Sequence, residues 1–212
     1  MATTKVDVNL IGATGTPGSG NFLRGDGSWN APAAAGMSFI NTTDISAAAT
    51  YNFTATSASS YDGYGLFLQN VTPATDDVQV FFRTSTDGGS SYDAGASDYD
   101  WFSQNYGSYQ NDLADNQIEL VGDAGSSPYR VGSDTNEDGV SGWIWVMGPH
   151  LTKYTMIDWH LAIRPAHAGY PLIIMHGVGS RLSAADVDAF QILFSSGNIE
   201  SGTITVYGLA NS

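Results

Sequence analysis

From Met37 onward the chain alternates short apolar runs with clusters of turn-forming residues. In 78–84, Val78, Val80 and Phe82 alternate with Gln79, Phe81 and Arg83. In 156–164, Ile157, Trp159, Leu161 and Ile163 alternate with Asp158, His160 and Arg164, and near the end Ile204 and Val206 alternate with Thr203, Thr205 and Tyr207. A period of two places one set of side chains on a core and the other on the opposite face, which is the signature of a half-buried strand. Further strands are predicted near 38–41, 49–56, 64–71, 98–104, 117–122, 143–148, 171–177 and 188–195. The run Trp143-Ile144-Trp145-Val146-Met147 is apolar on both faces, a pattern that suits a strand covered on one side by a second sheet and on the other by a neighbouring subunit. Asp87-Gly88-Gly89-Ser90-Ser91 and Ser196-Gly197-Asn198 supply residues that tolerate tight turns. One short helical piece, a single turn, is predicted at Ser183–Val187. This many short strands in one segment predicts an all-β fold, an antiparallel jelly roll or β-sandwich of about 8–11 strands over residues 37–212.

Residues 1–36 follow another logic. Gly12, Gly15, Gly18, Gly20, Gly25, Gly27 and Gly36, with Pro17 and Pro32, leave no room for a core. Yet Val6, Val8, Leu10, Ile11, Phe22, Leu23 and Trp29 are too apolar for a solvated linker. The segment is expected to be an extended docking arm that buries these side chains against a partner or a sister subunit.

Composition narrows the partners. The chain has 18 Asp against 3 Glu, with 2 Lys and 5 Arg, giving a formal net charge of −14. Asp favours caps and turns where Glu favours helices, which agrees with the strand pattern. So acidic a surface repels phosphate backbones, so no nucleic-acid partner is expected. There is no basic amphipathic stretch and no apolar run near ~20 residues, so no membrane partner is expected either. Cysteine is absent, which is compatible with assembly in a reducing cytoplasm. The N-terminus lacks the pattern of a signal peptide.

Two stretches carry a resemblance. The first is Gly12-Ala13-Thr14-Gly15-Thr16-Pro17 leading to Phe22-Leu23-Arg24-Gly25-Asp26-Gly27-Ser28-Trp29 and Ala31-Pro32; the second is Ser195-Ser196-Gly197-Asn198-Ile199-Glu200-Ser201-Gly202-Thr203-Ile204-Thr205-Val206-Tyr207-Gly208-Leu209. Both resemble elements of tailed-bacteriophage virion surface proteins, of the capsid-decoration, head-fibre or tail-fibre type, whose C-terminal domain is jelly-roll-like. The loop Ser85-Thr86-Asp87-Gly88-Gly89-Ser90 is similar to that group as well. The resemblance implies a homotrimeric structural protein on the virion surface, assembled in the host bacterial cytoplasm, with the major capsid protein or tail proteins as partners. Only about three dozen residues precede the β domain, which favours a compact decoration protein or head spike over a long fibre shaft.

Three groups of residues could carry additional chemistry. Tyr92, Tyr99, Trp101, Tyr106 and Tyr109 stand among carboxylates in a stretch free of Lys and Arg. Aromatic rings beside acceptors are what sugar recognition needs, so the alternative function is a receptor- or carbohydrate-binding tail-fibre or tail-tip protein bound to a host surface glycan. Packing of the same rings in the domain or at a subunit seam is the competing reading. Asp134, Asn136 and Asp138 have the spacing of half a calcium loop, but Trp145 stands where the bidentate acid is due, so calcium would be a weak ligand and no other cofactor is expected. Arg24-Gly25-Asp26 is read as a tight turn. No ordered nucleophile, phosphate loop or dinucleotide fingerprint is present, so no catalytic residues are expected.

Overall fold

A computed structural model describes residues 12, 14–16, 18, 20–30, 36–54, 61–105, 108–122, 129–134, 136–137, 139–167 and 169–210. The chain divides into two compact units, 1–36 and 37–212, and each is taken by itself.

In the first unit, β1 (Phe22–Leu23) and β2 (Trp29–Asn30) form a small antiparallel hairpin. Its loop closes through the Arg24 amide on the Ser28 carbonyl at 2.8 Å and the Gly27 amide on the Arg24 carbonyl at 3.0 Å. Asp26 accepts from the Ser28 amide and hydroxyl at 2.9 and 2.7 Å, and these bonds hold its carboxyl below the usual range. Thr14 bridges Ser28 in parallel, and its carbonyl accepts the Trp29 amide at 2.8 Å. The described part of the segment contains a small hairpin with the Thr14 stretch laid beside it. The local reason is the Arg24–Ser28 turn, in which Asp26 replaces missing backbone partners.

The second unit is an all-β sandwich, with no helix among the described residues. Its strands are β3 (Met37–Ala48), β4 (Tyr51–Thr54), β5 (Tyr61–Pro73), β6 (Val80–Ser85), β7 (Tyr99–Asn105), β8 (Ser108–Asp115), β9 (Ile118–Val121), β10 (Val140–Met147), β11 (Met156–Ile163), β12 (Ile173–Arg181), β13 (Ala189–Phe194) and β14 (Ile199–Ala210). They form an eight-stranded sheet in the order β3-β14-β5-β10-β11-β12-β7-β8 and a four-stranded sheet in the order β4-β13-β6-β9, antiparallel throughout.

The core between the sheets is made by the alternation read from the sequence. Ile157, Trp159, Leu161 and Ile163 of β11 are buried, as are Ile204 and Val206 of β14 and Val80 and Phe82 of β6. Across the middle, Tyr64 of the large sheet meets Phe53 and Phe190 of the small one, with ring centroids 5.5 and 5.7 Å apart. Trp159 needs space that only glycine leaves: a Cβ on Gly177 would stand 2.4 Å from its ring and 2.4 Å from the Phe102 carbonyl.

Two expectations are corrected here. Residues 183–187 form no helix; Val187 is fully buried and its amide donates to the Pro149 carbonyl at 2.8 Å, so a tertiary bond replaces the helical one. Residues 108–115 form a strand that alternation did not reveal, because β8 is an edge strand with most of its side chains in solvent.

Candidate functional site

The outer face of the large sheet is the most distinctive surface of the second unit. Strand register sets its side chains in rows running across the strands. One row passes through Phe39, Tyr207, Gly65, Trp145, Asp158, Val178, Phe102 and Asn111; the next passes through Thr205, Phe67, Trp143, His160, His176, Gln104 and Tyr109. A solvated antiparallel face would alternate these positions with charged or polar residues, and here aromatic and aliphatic side chains predominate. Phe39 is 60% exposed and Tyr109 69%, and Met37, Leu209, Met147, Met156, Ile174, Val178 and Phe102 are also exposed.

The face has two halves of different chemistry. Over β3, β14, β5 and β10 the rings pack edge to face: Phe39 on Tyr207 at 5.8 Å, Tyr207 on Phe67 at 5.5 Å and Phe67 on Trp145 at 6.2 Å. Gly65 makes this possible, since its missing Cβ would lie 3.0 Å from the Trp145 ring. Thr42 and Thr205 bond each other across β3 and β14 at 2.9 Å, and the outward charge in this half is Asp44, which accepts from Thr203 at 2.8 Å.

Over β11, β12, β7 and β8 acids and imidazoles enter the face. The Trp143 and His160 rings stack at 5.6 Å, and the His160 and His176 rings at 6.2 Å. Phe102 stacks on Tyr109 at 5.9 Å. Asp100 accepts a bond from the Ser180 hydroxyl. A depression of about 520 Å³ lies among Phe102, Trp143, Asp158, His160, His176 and Val178. A second of about 350 Å³ shares Phe102 and Val178 and continues toward Asp100, Asn111 and Leu113.

The described residues among those expected to bind a glycan do not come together. Tyr99 is 0% exposed and Trp101 is buried with it. The Tyr99 hydroxyl accepts from the Thr84 amide at 2.8 Å, and Trp101 Nε1 donates to Asp115 at 3.0 Å. Burial pushes the Tyr99 phenol up to about 12. Both rings face the core, so neither can stack on a ligand. The physical reason is register: in β7 the outward positions are Asp100, Phe102 and Gln104. Tyr92 sits half-buried beside Gly89 in the loop after β6, Tyr109 is on the outer face, and Tyr106 lies outside the described residues. Phe102, Trp143, His160 and His176 are the surface aromatics that sequence reasoning passed over as a group. Strand parity could have united them, but their register across four strands could not be read from one chain.

The loop after β6 is tied down from both ends. Asp87 accepts from Ser91 and Ser85 hydroxyls at 2.6 and 2.8 Å and from the Ser91 amide at 2.9 Å; these bonds, Ser91's first, bring its carboxyl down to about 2. Asp93 accepts from Arg181 Nε at 2.6 Å, and Arg181 Nη1 donates to the Ser183 carbonyl at 2.7 Å. Arg181 is itself buried, so this is a structural ion pair.

In the first unit Phe22 and Leu23 are exposed, and Trp29 is half-buried. Val6, Val8, Leu10 and Ile11 lie outside the described residues. Asp134 and Asn136 are exposed, in a turn closed by the Asp134 amide on Glu137 at 2.9 Å and the Glu137 amide on the Asp134 carbonyl at 2.8 Å. Asp138 lies outside the described residues, and among those described no three His, Asp or Glu side chains gather as metal ligands would.

No family model, curated protein or solved structure matches the chain.

Proposed function

We propose that this chain is a non-enzymatic structural component of a tailed-phage virion: a homotrimeric capsid decoration or head-spike protein, assembled through the outer face of its large sheet and attached through residues 1–36. The observation that carries the assembly reading is the predominantly aromatic half of that face, from Met37 and Phe39 through Tyr207, Phe67 and Trp145 to Met147. Seven inter-strand steps of about 4.8 Å make the sheet roughly 34 Å wide, so the half over β3, β14, β5 and β10 offers on the order of 400 Å². Exposed apolar patches of that extent mark association surfaces. The chain carries 21 acids against 7 bases, and copies of so acidic a molecule meet with least repulsion where carboxylates are sparse. The phage setting and the number three come from the resemblance alone.

The strand pairing supports reading the sandwich as a jelly roll. With β7, β8, β11 and β12 set aside, the remaining eight strands pair first with last (β3–β14), second with seventh (β4–β13), third with sixth (β5–β10) and fourth with fifth (β6–β9). That nesting is one long hairpin ribbon. Its wrapping adds the β14–β5 and β13–β6 pairs, which closes two four-stranded sheets as in a jelly roll.

Attachment through the first unit rests on Phe22, Leu23 and Trp29, with Val6, Val8, Leu10 and Ile11 as further candidates from the sequence. Burial of apolar area gains about 25 cal/mol per Å², and three linked copies multiply the gain through effective concentration. The test is incorporation into phage particles. The full chain should join them, and a form lacking residues 2–30 should fold yet stay in the supernatant. Incorporation of the shortened form would overturn attachment through this segment.

A further inference from the structure

We propose that the half of the large sheet made by β11, β12, β7 and β8 is a binding trough for a neutral oligosaccharide, a function beyond the structural role above. The wiring points there first. The nested ribbon closes its sandwich without these four strands, which enter as two separate hairpins, β7–β8 between β6 and β9 and β11–β12 between β10 and β13. Both insertions extend the same edge of the same sheet, in the order β10-β11-β12-β7-β8. Function on a rigid scaffold is commonly carried by such additions, and the two joined depressions lie on them.

The chemistry selects the ligand. The described lining holds Trp143 and Phe102 as apolar walls, Asp158 and Asp100 as acceptors, and His160, His176 and Asn111 as groups that both donate and accept. Among the described residues no lysine or arginine lines either depression, so a phosphate, sulfate or uronic acid would meet carboxylates with no permanent cation beside it. A neutral sugar fits each element: its C–H faces pack on rings, and its hydroxyls donate to carboxylates while accepting from imidazole and amide. The two depressions are shallow and joined end to end at Phe102 and Val178, which suits a run of sugar units more than one enclosed small molecule. A second copy of this chain is a poor occupant, because it would desolvate Asp100 and Asp158 against a surface equally lacking cations. The trough thus takes the glycan-binding role that Tyr99 and Trp101, buried in the core, cannot fill.

The experiment is calorimetric titration of the full-length protein with a panel of neutral tetra- to octasaccharides built from glucose, galactose, mannose and rhamnose, at low and high salt. At least one panel member should bind with an affinity that changes less than about twofold with salt. Phe102→Ala and Asp158→Asn should each weaken it about tenfold or more, with His176→Ala as a third variant should either misfold. Phe39→Asp, on the other half of the face, should leave sugar binding intact while dissociating the oligomer. A blank panel, binding indifferent to these trough variants, or salt-sensitive capture of an oligolysine peptide in place of sugar would overturn the proposal. In the unmodified protein, an oligomer that binds no panel sugar refutes only the trough, and a single chain that binds sugar refutes only the assembly surface.

Discussion

Tyr99 is fully buried, with its hydroxyl enclosed by Thr84 and the Asp93 carbonyl. Its phenol ionises near 10 when unfolded and is pushed up to about 12 in the fold. Below pH 10 both states hold the proton and stability is full. Between about 10 and 12 only the unfolded chain releases it, so stability falls there by on the order of 2–3 kcal/mol for this residue. Tyr51 and Tyr64, also raised to about 12 chiefly by burial, add in the same direction. Cooperative loss of near-ultraviolet dichroism within that window is expected, and a Tyr99→Phe variant should unfold at higher pH. Asp87 has the opposite sign: with its carboxyl held down to about 2, its turn should persist through mild acid and loosen as pH falls from about 4 toward 2. Gly177 allows a sharper test. A methyl there meets the Phe102 carbonyl and the Trp159 ring at 2.4 Å, so Gly177→Ala should lower stability by about 1–3 kcal/mol in urea melts.

At the scale of elements, the strands with strict alternation were legible in the sequence. Ile157-Asp158-Trp159-His160-Leu161-Ala162-Ile163 is one such run, and every second side chain is buried. Tertiary effects hid the rest. The edge strand β8 has no buried face to impose alternation, and the bonds that replaced a helix at 183–187 come from Pro149, far away in sequence. The aromatic stretch 92–115 was recognisable as unusual. Its division into core-facing Tyr99 and Trp101 and outward-facing Phe102 depended on register with β12. The 134–137 turn is closed by its own backbone and Glu137, so its melting temperature should be the same in EDTA as in calcium. A drop in EDTA would support the calcium reading of Asp134, Asn136 and Asp138.

At the scale of the whole chain, an acidic protein with net charge −14 presents a sheet face that is mainly aromatic in one half, with Asp44 among the described residues there. Association costs about 4–15 kcal/mol in lost freedom. Recovering it at about 25 cal/mol per Å² requires several hundred Å² of apolar contact, which the described face can supply. The sequence announced such a surface in one place, the doubly apolar run Trp143–Met147. Its continuation through Phe67, Tyr207 and Phe39 became visible only when β10, β5, β14 and β3 were laid side by side. Substituting Phe39 with Asp should convert the assembly to single chains without lowering the melt of the sandwich, because Phe39 packs outside the core. The most direct test is the mass of the full-length protein by sedimentation equilibrium. Three times the 22.4 kDa chain mass is predicted, falling to one chain for the Phe39 variant; a single-chain mass for the unmodified protein at all concentrations would contradict the account.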